Sequence, residues 1–202
     1  MFAALQASAC ADQTLPLQRV SPAMSADDPN PQQLGEKLLA AVGGGEEDEL
    51  ARLLDAGASV DSQDAVGRTA LALASASAQL AVVAKLLERG AGLEISSKSG
   101  MTPLMVAALK GHADVATLLL RNGANVAAQD MFGRVSLMFA AAGSHADVVR
   151  VLLEHGADAA VRDRNGLDAA AMSREPTCSD TLRSADRIQR WHRRRLLVLW
   201  GR

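Results

Sequence analysis

The chain repeats itself every 33 residues, and no other feature restricts its fold as strongly. Gly67, Gly100, Gly133 and Gly166 share one register. Gly57, Gly90, Gly123 and Gly156 share a second, each followed by alanine. Leucine pairs recur at Leu53-Leu54, Leu86-Leu87, Leu119-Leu120 and Leu152-Leu153, and Leu71, Leu104 and Leu137 recur with Ala74, Ala107 and Ala140. A unit of this length cannot bury its own apolar face. It must stack on copies of itself, which makes the chain a solenoid.

The unit's grammar is helical. In Ser99-Gly100-Met101-Thr102-Pro103-Leu104 the glycine permits a tight turn. Thr102 suits a helix N-cap, and Pro103 takes the first helical position, where its missing donor costs nothing. Leu104, Ala107 and Ala108 then form a narrow apolar stripe. A second helix follows Gly111, with Val115, Leu118 and Leu119 on one face, and Gly123 ends it. Aromatic residues are 2% of the chain and tyrosine is absent, while apolar residues reach 49%. A core of Ala, Leu and Val suits closely packed helices, so the expected fold is an all-α solenoid.

This turn–helix–helix unit resembles the ankyrin repeat, with its Thr-Pro-Leu-His-x-Ala signature. Residues 97–129, SKSGMTPLMVAALKGHADVATLLLRNGANVAAQ, match best. Residues 64–96 and 130–162 match with Thr69-Ala70-Leu71 and Val135-Ser136-Leu137 in place of Thr-Pro-Leu. Ala72, Met105 and Met138 stand where the signature has histidine, which removes a polar contact between repeats and implies modest stability. The resemblance spans 32–173: a degenerate N-terminal cap at 32–63, full repeats at 64–96, 97–129 and 130–162, and a partial repeat at 163–173. Asn30-Pro31-Gln32-Gln33 starts the cap's first helix, Glu46-Glu47-Asp48-Glu49 its second, and Asp168 caps the partial repeat. Residues 1–31 hold four of the six prolines without periodicity and read as a disordered leader. Residues 174–202 read as a basic helix that caps the last repeat.

Catalysis has no visible constellation. His112 and His145 are 33 residues apart because they occupy one repeat position. Asp64, Asp130 and Asp163 recur in the hairpin loop, where the resemblance implies a turn-fixing role. Cys178 has no nameable base beside it, and neither a phosphate loop nor metal-ligand spacing occurs. The expectation is a non-enzyme without cofactor. Two distant cysteines, Cys10 and Cys178, point to a reducing compartment, cytoplasmic with a nuclear option. The opening MFAALQASAC lacks the basic start of a secretory signal, and no run reaches the ~18 apolar residues of a membrane span.

The resemblance implies a scaffold or adaptor that binds another protein through hairpin tips and the exposed face of each first helix. Carried onto this chain, the candidate contact residues are Arg68, Lys98, Met101, Leu109, Lys110, Met131, Phe132, Arg134 and Arg164. Met131-Phe132 places a large apolar pair beside an arginine, the composition of a hot spot. Packing of Phe132 against the neighbouring hairpin is the competing reading. A second candidate is the tail, where Arg187, Arg190, Arg193, Arg194 and Arg195 surround Trp191, Leu196 and Trp200. An anionic membrane, an import receptor or a nucleic acid each suits it, alongside the plain cap. Charge is divided along the chain: residues 1–63 carry −7, 64–173 carry none and 174–202 carry +5. That asymmetry suggests weak head-to-tail self-association.

Overall fold

The computed structural model describes residues 30–176, 178–185 and 187. The expected leader up to residue 29 lies outside them, as does the tail beyond Arg187 with Arg190, Arg193, Arg194 and Arg195. Among the described residues the protein is all-α. Its helices are α1 (Pro31–Gly44), α2 (Glu47–Asp55), α3 (Ala70–Ala76), α4 (Leu80–Glu88), α5 (Pro103–Lys110), α6 (Ala113–Arg121), α7 (Ser136–Ala142), α8 (Ala146–Glu154) and α9 (Ala169–Met172). A further helical stretch covers 178–185.

The helices form two layers. Helices α1, α3, α5, α7 and α9 stack in sequence as the inner layer, and α4, α6 and α8 pack behind them as the outer layer. The inner helices are short and alanine-rich because they are covered on most sides. Helix α3 buries Ala70, Leu71, Ala72, Ala74 and Ser75, and α7 buries all but its last residue. The outer helices are one-sided, with Val115, Ala116, Leu119 and Leu120 inward in α6 and Asp114 and Arg121 outward. The core is therefore a continuous slab of Ala, Leu, Val and Met between the layers.

Caps follow the local sequence. Asn30, Thr69, Thr102 and Asp168 each accept a backbone N–H from their own helix. Val135 cannot, so α7 begins without a side-chain cap, and the Ser136 hydroxyl beside it is buried with no partner. Met105 and Met138, at the signature's histidine position, are fully buried core residues. Polar contact between repeats comes from elsewhere. The His112 Nε2 lies 3.1 Å from the Ala76 carbonyl, and His145 Nε2 lies 3.1 Å from that of Leu109. Both rings thus bridge back to the preceding repeat from the start of an outer helix.

Candidate functional site

The loops between repeats form a row of hairpins, each closed by a backbone pair: Asp64 with Arg68, Ser97 with Met101, Asp130 with Arg134 and Asp163 with Leu167. In three of the four, one aspartate oxygen accepts two N–H groups, two and four residues on. Asp64 Oδ1 takes those of Val66 and Arg68, Asp130 Oδ1 those of Phe132 and Arg134, and Asp163 Oδ1 those of Asn165 and Leu167. These carboxylates hold the turns, as their recurrence suggests. Ser97 does less: its Oγ accepts one backbone N–H, that of Met101 at 3.3 Å, and pairs with Ser99 Oγ at 2.9 Å.

Successive hairpins are tied tip to tip. Lys98 N donates to Val66 O at 3.0 Å, Met131 N to Ser99 O at 3.3 Å, and Arg164 N to Phe132 O at 3.0 Å. The approach is close enough to require glycine. A Cβ on Gly100, whose φ is +81°, would lie 2.8 Å from Met131 N. The ladder fixes the spacing of the tips and brings Lys98, Met131, Phe132 and Arg164 into one row.

Along that row several large apolar side chains face solvent. Val66 is 55% exposed, Met131 and Phe132 are 49% each, and Leu167 is 45%. Met101 is half-buried against the core. Leu109 and Lys110 are also exposed, but at the far end of α5, about 10 Å along its axis from the hairpins. They border the inner-helix face instead of the tips. Arg187 is exposed on the final described turn.

The third hairpin differs from the others in one respect. The Arg134 guanidinium lies over two rings, 4.9 Å from the Phe132 centroid and 4.7 Å from that of Phe139. It also grips Asp130 Oδ2 through Nε at 2.8 Å and Nη2 at 2.7 Å. Phe132 thus packs on its own hairpin's arginine while half of its surface stays open. Arg68 binds Asp64 at 2.8 Å in the same way, but with Val66 in place of the ring. Burial opposes ionisation of Asp130, yet the Arg134 side chain, the Arg134 and Phe132 N–H groups and the arginine's charge outweigh it and hold the carboxyl below its usual range. Asp64 is lowered likewise: burial acts against it, and Arg68 and the Val66 N–H overcome that. The role of Asp130 and Phe139 in fixing Arg134 escapes a reading of single positions. The repeated Asp-x-x-x-Arg spacing, at 64/68 and 130/134, is the signal that points to half of it.

Among the described residues no three His, Cys, Asp or Glu side chains gather as a metal site, and no helix is long and apolar enough to cross a membrane. Cys178 is free and buried. What the geometry supplies is a rigid row of exposed apolar and cationic side chains. A family model described as ankyrin repeats (3 copies) matches residues 37–130, and one described as ankyrin repeats (many copies) matches 119–171. No curated protein matches the chain.

Proposed function

The chain belongs to the ankyrin-repeat family, whose arrays are generally protein–protein interaction modules, and on that premise we propose that it is a non-enzymatic scaffold or adaptor that grips a protein partner by its hairpin row. The observation that carries this reading is the half-exposed pair Met131 and Phe132, in a chain whose other phenylalanine among the described residues, Phe139, is buried. Large apolar side chains left open on a rigid loop are suited to anchoring a partner. The backbone ties between tips hold the row in place before binding, so little ordering entropy is lost on contact. In this reading residues 32–173 are the binding domain, and Arg68, Lys98, Met101, Arg134 and Arg164 flank the anchor, with Leu109 and Lys110 extending it along the inner helices.

Affinity capture from native lysate, with partners identified by mass spectrometry, compares the wild type with Met131→Asp/Phe132→Asp after circular dichroism shows both folded. The identified partner, purified and titrated, is expected to bind the variant more weakly by about 2 kcal/mol or more. Unchanged affinity removes the hairpin from the binding surface.

A further inference from the structure

The net charge of zero over residues 64–173 conceals a segregation that the structure makes visible. In the hairpins the acids turn inward. Asp130 and Asp163 are buried, and each is held by backbone N–H groups. The cations turn outward. Lys98 and Arg164 are exposed at equivalent tip positions, and neither has an acidic partner among the described residues. Most of the exposed acids stand on the outer helices instead, including Asp114 and Asp147 in the first turns of α6 and α8 and Glu88 and Glu154 at the ends of α4 and α8, while Glu94, in the loop after α4, accepts the Asn125 N–H. A partner approaching the tips meets apolar and cationic groups with the matching carboxylates withdrawn beneath them.

Arg134 sharpens this. Its Nε and Nη2 are committed to Asp130, and both ring centroids lie within 5 Å of its Cζ. Nη1 has no partner among the described residues, while the side chain keeps 33% exposure. A guanidinium edge locked in this way is a pre-organised donor for an oxygen acceptor, at no further cost in side-chain entropy.

We infer that the segment this row receives is an acidic stretch of protein carrying a large apolar anchor, the anchor on Met131 and Phe132 and the carboxylates on Lys98, Arg164 and the free edge of Arg134. The inference rests on the hairpin row being the binding surface. An anionic membrane shares the charge, but peripheral attachment needs a cluster of about four to eight basic residues. Lys98 and Arg164 are the two uncompensated cations on these tips, and the apolar contacts are few and fixed by backbone, which suits a protein hot spot better than a lipid surface.

The test is a random dodecapeptide display library selected on the full chain, with parallel selections on Lys98→Glu/Arg164→Glu and on Met131→Asp/Phe132→Asp. All three proteins are first checked by circular dichroism. Co-sedimentation with phosphatidylserine vesicles runs alongside. The expected winners combine Asp or Glu with Phe, Trp or Leu, bind the charge-reversed variant about tenfold more weakly and weaken further as salt rises. Winners that are neutral or basic yet fail on Met131→Asp/Phe132→Asp overturn the acidic partner and leave the hairpin surface standing. Acidic winners that bind all three proteins alike overturn both. Absence of enrichment, or vesicle binding that exceeds that of any peptide and is lost in both hairpin variants, also overturns the inference.

Discussion

The second and third full repeats share one backbone and stabilise it by different means. Residues 97–129 begin their inner helix with Thr102 as a working cap and Pro103 behind it, and end it at Gly111 in the left-handed region. Their hairpin is plainer, with the Ser97 side chain accepting one backbone N–H where aspartate accepts two. Residues 130–162 reverse the balance. Helix α7 starts at Val135 with no cap and a stranded Ser136 hydroxyl, and Ser144 sits at φ +58° where Gly111 is at home. Its hairpin is the most heavily braced of the four, with Asp130, Arg134 and two phenylalanines interlocked. The comparison teaches that stability here is distributed unevenly. The repeat that offers the proposed anchor has a rigid tip on a poorly terminated helix.

Breaking the tip carries the largest expected effect. Asp130 has a fully enclosed side chain, whereas Asp64 keeps 21% exposure and a more exposed arginine. Asp130→Ala strands two backbone N–H groups and the Arg134 charge, so it is expected to destabilise by about 3 kcal/mol, against about 1 kcal/mol for Asp64→Ala. Urea denaturation of the two variants measures the gap, and equal losses would mean the braced hairpin is no stronger than the plain pair. The same carboxylate gives a pH signature. Its folded-state pKa is below the unfolded value, so its contribution is complete above about pH 4 and disappears as pH falls through the lower folded value. Asp130→Asn should flatten that acid limb of the stability profile, and an unaltered limb would assign the acid sensitivity elsewhere.

Grafting the second repeat's helix start onto the third tests the other half. Val135→Thr adds a side-chain oxygen, as Thr102 does for Met105, for the Met138 N–H, which already donates to the Val135 carbonyl at 3.0 Å, and Ser136→Pro removes the unpartnered hydroxyl at a position where proline is pre-shaped for the helix. Together they are expected to stabilise by about 2 kcal/mol in the same denaturation measurement. A loss of stability would mean that Val135 packing outweighs the missing cap.

The fold was legible because its determinants are local and recur. The glycine registers, the Thr-Pro start and the Leu-Leu pairs each specify a turn, a cap or a buried face without reference to distant residues. The inter-repeat bonds were less so. His112 and His145 reach carbonyls 36 residues back, a contact that no helical periodicity encodes. The pair Met131 and Phe132 could be picked out once the resemblance placed it on a hairpin tip, since aromatic residues are so few. Arg134 could be placed on the hairpin, but not its approach to the two rings. Phe139 is a core residue of α7 by register, and only the fold of the hairpin over the helix start brings its ring to the guanidinium. Charge segregation was hidden for the same reason: a count over residues cannot tell an aspartate that closes a turn from one that faces water.

The smallest expected effect lies at the turn after each inner helix. Gly45 and Gly111 occupy it at φ +74° and +80°, while Ala78 and Ser144 are held at +56° and +58°. A side chain in that region costs about 1 kcal/mol, since its Cβ crowds the following carbonyl. The third repeat does carry a glycine nearby, but at Gly143, where a Cβ would lie 2.5 Å from the His145 ring. Glycine there makes room for the ring and leaves the strained residue untouched. Ser144→Gly and Ala78→Gly are each expected to raise stability by about 0.5 to 1 kcal/mol, the strain relieved being partly offset by the freer unfolded chain. Thermal unfolding followed by circular dichroism resolves a change of this size. A drop in midpoint for either variant would show that backbone strain at this turn does not distinguish the repeats, leaving the missing cap of α7 as the feature that does.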